Sequence, residues 1–236
     1  MLECSLVPGQ CADDPGVRLT GTDAVAALIV LADGSYLLQH RDDKPTIWYP
    51  DHWGCFGGSI DRSSVDALVS LKNRPPGKPF LVLVAGSEMI DRLGLNLSRA
   101  AGLLAARFWP GPLTLVLAGG ERRVPAALRG PEGGVAVRWT PHPALQQLIR
   151  AMNDPLTSTS ANRPGLPPAR SGTEILSAWS DDIARGRLQL LDGGEIAASS
   201  PSTVVDCTSR HARVIRPGAI TAAALRAAVP DLIGDL

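Results

Sequence analysis

Seven short apolar runs, FLVLVAG (80–86), LTLVLAG (113–119), GVAVRW (134–139), LTSTSA (156–161), LQLLDGG (188–194), STVVDCT (202–208) and ARVIRPG (212–218), alternate with stretches of helical spacing. Runs this short, bounded by Gly, Pro, Ser and Asn, read as strands. The stretches 98–108, 143–152, 172–184 and 221–229 repeat their apolar residues at three- and four-residue intervals and read as helices. The mixture predicts an α/β or α+β fold with a sizeable sheet. Several runs end in Gly, Ser, Asn or Arg, at the place where such a sheet presents a ligand crevice.

A chain of 236 residues with 44% apolar and 19% charged content buries a real core. Lys plus Arg equals Asp plus Glu at 23 each, so no global basic field announces a nucleic-acid or membrane partner, and an anion site has to be a local cluster. The cysteines Cys4, Cys11, Cys55 and Cys207 lack ligand spacing. They suit reduced thiols in a cytoplasmic protein better than a metal site or a disulfide framework, and no metal ligands are expected. No apolar run reaches the roughly 18 residues of a bilayer span, and the first residues lack the pattern of a signal peptide.

Residues 1–22 are polar and aperiodic and read as a loose tail. Over 24–42 an apolar run, the Asp33-Gly34 turn signal and YLLQH form the pattern of a β-hairpin, followed by a loop with Trp48, Pro50 and Trp53. From Val65 the residues Leu68, Val69 and Leu71 continue a helical face, which Pro75-Pro76 is expected to stop.

Lys72 and Arg74 leave that helix together. Arg74 precedes a proline, which favours extended backbone, so the two cations can converge on a phosphate, Arg as a planar fork and Lys as a point charge. The same residues also fit solvated cations at a helix C-terminus. Lys78 reads as an exposed loop lysine. In LTSTSAN, Ser158, Ser160 and Asn162 alternate along an extended segment and are expected to point to one side of the sheet. Their hydroxyls and amide are neutral donors to phosphate or ribose, or else they form a turn ahead of Pro164-Gly165. FWPGPLTLVL reads as a rigid helix-to-strand corner without chemistry. The four histidines show no ligand spacing.

Two resemblances meet near residues 61–65. The hairpin and the string WYPDHWGCFGGSID (24–61) resemble the entry to the Nudix box of pyrophosphohydrolases. That chemistry needs glutamates to hold Mg²⁺, and the corresponding positions carry Ser64, Asn73, Pro76 and Gly77, with Lys72 at the arginine position. A Nudix-type hydrolase is therefore disfavoured as a function. From Val65 to about Leu225 the chain resembles the YrdC/TsaC family, on LKNRPPGKPFLVLVAG, FWPGPLTLVLAG, VAVRWTPHPALQQLI, PLTSTSANRPGLPPA, LLDGG and SPSTVVDCTSRHARVIRPGAI in the family's order.

This resemblance implies a twisted mixed sheet with flanking helices around a basic cavity. It also implies synthesis of threonylcarbamoyl-AMP from L-threonine, bicarbonate or CO₂, and ATP, for tRNA modification at adenosine 37. Mg²⁺ would be held mainly by the ATP phosphates, and RNA or other tRNA-modification components stand as partners. Carried over residue by residue, it makes Lys72 and Arg74 catalytic and, with Ser160, Asn162, Ser202 and Arg216, nucleotide-binding. Arg138 and Ser158 become contacts to the amino-acid substrate. The family's Pro-Thr-Asp/Glu-Thr segment has no counterpart ahead of Trp53-Gly54. The expected organisation is a tail (1–22), a Nudix-like hairpin and loop joined to the main sheet (23–64) and a YrdC-like domain (65–236), together a composite chain. A catalytically impaired protein that binds nucleotide or RNA through the same cavity is the alternative.

Overall fold

The computed structural model describes residues 29–30, 36–40, 53–55, 62–75, 77–167, 169, 171–184, 189–191 and 200–234. The expected tail, the Asp33-Gly34 turn and most of the Trp-bearing loop lie outside them.

The strands are β1 (Ile29–Val30), β2 (Tyr36–His40), β3 (Trp53–Cys55), β4 (Leu81–Val84), β5 (Leu95–Asn96), β6 (Leu113–Gly119), β7 (Val135–Trp139), β8 (Leu156–Ser158), β9 (Gln189–Leu191), β10 (Thr203–Asp206) and β11 (Arg213–Arg216). The helices are α1 (Arg62–Leu71), α2 (Ser87–Leu93), α3 (Arg99–Phe108), α4 (Pro143–Met152), α5 (Gly172–Ala184) and α6 (Ala222–Ala228), with a 3₁₀ turn at Ala126–Leu128. Helix α2 was not foreseen; its seven residues carry too short a periodic signal.

Seven strands form one mixed sheet, ordered β11-β10-β6-β7-β4-β8 with β5 beside β6. The pairs β10/β6 and β4/β7 are parallel and the others antiparallel. A smaller sheet holds β1, β2 and β3, with β9 on β2. Strand β1 pairs antiparallel with β2 in the register Ile29↔Leu37, as the hairpin pattern predicts. The run LQLLDGG thus contributes its strand to the smaller sheet, through Leu37↔Leu190.

Register explains how the large sheet sorts its residues. Val82 pairs with Val137, Val137 with Leu115, and Leu115 with Val205, and all four are 0% exposed. Side chains alternate faces along a strand, so Leu83, Arg138, Thr114 and Val204 point to the other face. Arg216, the partner of Val204, joins them there, and Ser158 does so through Leu81. Aliphatic residues on one face bury the core under the helices, with α3 against β6 and α2 against β4. The opposite face carries the polar and cationic row.

Helix ends follow local chemistry. Ser98, His142 and Thr221 cap α3, α4 and α6 by accepting from Ala101, Leu145 and Ala224 backbone N–H groups. The end of α1 falls where the sequence reading put it, with the helix stopping at Leu71 and Lys72 and Arg74 leaving it, and the closure is made ahead of Pro75. Asn73 turns left-handed at φ 42°, its N–H donates to Ser70 O and the Arg74 N–H to Val69 O, which is a Schellman closure. Strand β8 corrects an expectation. It ends at Ser158, and Asn162 N–H folds back onto Ser160 O at 3.0 Å, so Ser158, Ser160 and Asn162 do not continue one extended alternation.

Candidate functional site

The Schellman closure carries Lys72 away from solvent. Its side chain is 5% exposed and its Nζ donates to Ser160 O and Asn162 Oδ1, each at 2.8 Å, and to Asn162 O. The reading of Lys72 as a solvated helix-end cation is therefore excluded. Ser160 Oγ donates to Asn162 Oδ1 at 2.7 Å and Asn162 Nδ2 to Leu166 O at 2.6 Å. Ala169 N–H closes the loop on Ala161 O. Burial, then the neighbouring charges of Arg74 and Arg163, pull the Lys72 ammonium pKa down to about 8.

Arg74 stands beside Lys72, held by its own loop. Nε and Nη2 donate to Lys78 O (2.8 Å) and Pro79 O (2.7 Å), and the guanidinium carbon lies 4.5 Å from the centre of the Phe80 ring. Nη1 has no hydrogen-bond partner among the described residues, which leaves one edge of the fork for an anion. Lys78 is exposed, as expected, and serves through its carbonyl.

A second group occupies the polar row of the sheet. Arg216 Nη2 donates to Ser202 O at 2.7 Å and to Ser202 Oγ at 3.0 Å, while Ser202 Oγ meets Thr114 Oγ1 at 2.9 Å in the interior. Arg138 Nε donates to Gly111 O at 2.9 Å. Burial first, and the nearby positive Arg216 second, push the Arg138 pKa below the usual guanidinium range. Gly111 belongs to the FWPGP corner, where Trp109-Pro110 is cis and Gly111 N–H donates to Trp139 O. That corner thus has a part in the site: its carbonyl orients Arg138.

The chain therefore brings together Lys72, Arg74, Ser160 and Asn162 in one group and Arg138, Ser202 and Arg216 in another. Ser158 lies on the same face at the β8 edge. Two residues of these groups escaped the sequence reading. Thr114 signals itself as the one hydroxyl in the aliphatic run LTLVLAG, and Arg163 as a cation directly after Asn162. The described residues include no set of three or more His, Cys, Asp or Glu side chains placed to hold a metal. None of their helices is long and apolar enough to cross a membrane.

The family model described as telomere recombination, covering Sua5, YciO and YrdC proteins, matches residues 54–218. The chain belongs to the Sua5/YciO/YrdC family. A threonylcarbamoyl-AMP synthase of Pyrococcus abyssi is 33% identical over 168 residues, 71% of this chain and 48% of the relative. One from Chromohalobacter salexigens is 37% identical over 157 residues, 66% of this chain and 82% of the relative. Among solved structures, P. abyssi Sua5 complexed with L-threonine superposes with a TM-score of 0.65 at 29% identity, covering 77% of this chain and 52% of that one. Escherichia coli YciO, at 20% identity and a TM-score of 0.59, shares the fold over 84% of this chain and 85% of its own. The chain thus spans about half the length of the Pyrococcus protein and most of the Chromohalobacter one. The Sua5/YciO/YrdC match starts ahead of Val65 and takes in all of α1 and the Lys72 that directly follows it.

Proposed function

We propose that the chain is a threonylcarbamoyl-AMP synthase, joining L-threonine, bicarbonate or CO₂, and ATP with release of pyrophosphate, in support of tRNA modification at adenosine 37 in the cytoplasm. The observation that carries this reading is the contact of Lys72 with Ser160 and Asn162 across 88 and 90 residues of sequence. It assembles an ammonium, a guanidinium, a hydroxyl and an amide into one polar group, a set suited to a triphosphate. The names of the relatives supply the reaction.

In this reading Lys72, Arg74, Ser160 and Asn162 take the phosphates, Ser202 and Arg216 complete the nucleotide site, and Arg138 with Ser158 holds the threonine carboxylate. The threonine amine adds to CO₂ and loses a proton, giving a carbamate. A carbamate oxygen attacks the α-phosphorus, the bond from that phosphorus to the bridging oxygen breaks, and pyrophosphate leaves with the electron pair. The protein works by positioning and by setting fixed positive charge against the phosphates, without a covalent intermediate. Mg²⁺ is a hard cation that prefers oxygen anions, and the side chains grouped here are cationic or neutral, so it accompanies ATP on the phosphates.

The test is turnover of purified protein with ATP, L-threonine and bicarbonate, following pyrophosphate and the adenylate together. Product that requires both threonine and bicarbonate supports the synthase. ATP binding without product replaces it with a nucleotide-binding protein whose front segment does not substitute for the family's Pro-Thr-Asp/Glu-Thr stretch.

A further inference from the structure

Arg163 follows Asn162 directly and reaches across to α5. Its Nε donates to Ala178 O at 3.0 Å and its Nη2 to Asp182 Oδ2 at 2.9 Å, while its guanidinium carbon stands 3.9 Å from the centre of the Trp179 ring. Lys72 Nζ lies 6.0 Å from the centre of the same ring. Trp179 is 0% exposed and departs from helical geometry (φ −126°, ψ 21°), which kinks α5 just after the carbonyl that Arg163 occupies. A side chain bonded into the carbonyl ladder is a recognised cause of such a kink. The Asp182 side chain is 6% exposed against 38% for Arg163, so the anion is interior and the cation reaches it from the site.

We propose that Arg163 is a positioning residue, clamped by Trp179, Ala178 and Asp182, that seats the Ser160–Asn162 turn on Lys72 and sets the electrostatic environment of its ammonium group. The proposal deepens the synthase reading and rests on it for the role of Lys72. Three elements face Lys72: its own helix end with Arg74, the turn after β8 with its carbonyls and Arg163, and α5 with Trp179, whose neighbour Asp182 pairs with Arg163. Arg163 also contributes to the low ammonium pKa, behind burial and Arg74. A planar fork stacked on indole while donating at two edges is a geometry that lysine does not reproduce.

The chain has just three lysines, Lys44, Lys72 and Lys78, so lysine side chains labelled with ¹³C give three resonances, with Lys72→Met assigning the one of interest. The experiment titrates that resonance in wild type, Arg163→Gln and Arg163→Lys, each shown folded by its thermal transition, and measures ATP affinity on the same samples. With Arg163→Gln the Lys72 titration moves upward by about half a unit or more, because a neighbouring cation is gone, and ATP binds about tenfold more weakly. With Arg163→Lys the titration stays near the wild-type position while ATP affinity still falls. An unchanged Lys72 titration in folded Arg163→Gln overturns the proposal, as does wild-type ATP affinity in both variants. A shifted titration in a protein that binds no ATP in any form removes the nucleotide reading and leaves the clamp standing, so the two failures are distinguishable.

Discussion

Lys72 sits charged among three oxygen acceptors and beside two guanidinium groups, and its low pKa has two consequences with defined signs. ATP binding is expected to hold below about pH 8 and to weaken as pH rises through that value, because the neutral amine no longer balances a phosphate. Calorimetric affinities at pH 7 and pH 9 check this, with equal affinities refuting it. In the unfolded chain the group reverts to 10.5, so between about 8 and 10.5 the unfolded state binds more protons and the Lys72 contribution to stability rises with pH. Lys72→Met is expected to remove that part of the slope in denaturant unfolding across this window. Both Lys72→Met and Arg74→Ala are expected to abolish stabilisation by ATP. Their unliganded transitions also shift, since Lys72→Met strips the donor from three acceptors and Arg74→Ala removes the fork from two carbonyls and a ring.

Two joints at the scale of elements place these groups, and each depends on one residue. The left-handed Asn73 reverses the chain after α1. Asn73→Gly is expected to be neutral or mildly stabilising, whereas Asn73→Val costs about 1–2 kcal/mol, read as denaturant midpoints. At the FWPGP corner a Cβ on Gly111 would stand 2.2 Å from Phe108 O, which is backbone and cannot swing away. Gly111→Ala therefore displaces the corner, costs about 1–3 kcal/mol and disturbs Arg138, whose Nε the Gly111 carbonyl accepts. A raised KM for threonine at little-changed ATP affinity is the expected kinetic mark; an ATP defect alone would contradict the assignment of Arg138. Helices α3, α4, α5 and α6 were legible because periodicity and caps are local signals. The end of β8 was not legible, because LTSTSAN supports extension and turning equally until Lys72 arrives to bind the turned carbonyls.

For the whole molecule, the interior row Val82–Val137–Leu115–Val205 ties four strands together, and Leu115→Ala is expected to cost about 2–5 kcal/mol in unfolding free energy. ATP at a hundredfold excess over its dissociation constant is expected to raise the thermal midpoint by roughly 5–10 °C for a protein of this size. The ladder between β2 and β9 pairs Tyr36–Leu38 with a strand more than a hundred residues later, in the smaller sheet and not in the main one. By itself the sequence determined the mixed fold class, the positions of the longer helices and the family, since each rests on local pattern or on motifs in order along the chain. Tertiary structure alone decided that Lys72 is interior, that Ser160 and Asn162 leave the strand, that a carbonyl of the Trp-Pro corner orients Arg138, and that Arg163 stacks between α5 and the site. Each of those facts depends on groups distant in sequence coming within hydrogen-bonding range, and burial and charge coupling do not exist until the chain has closed around them.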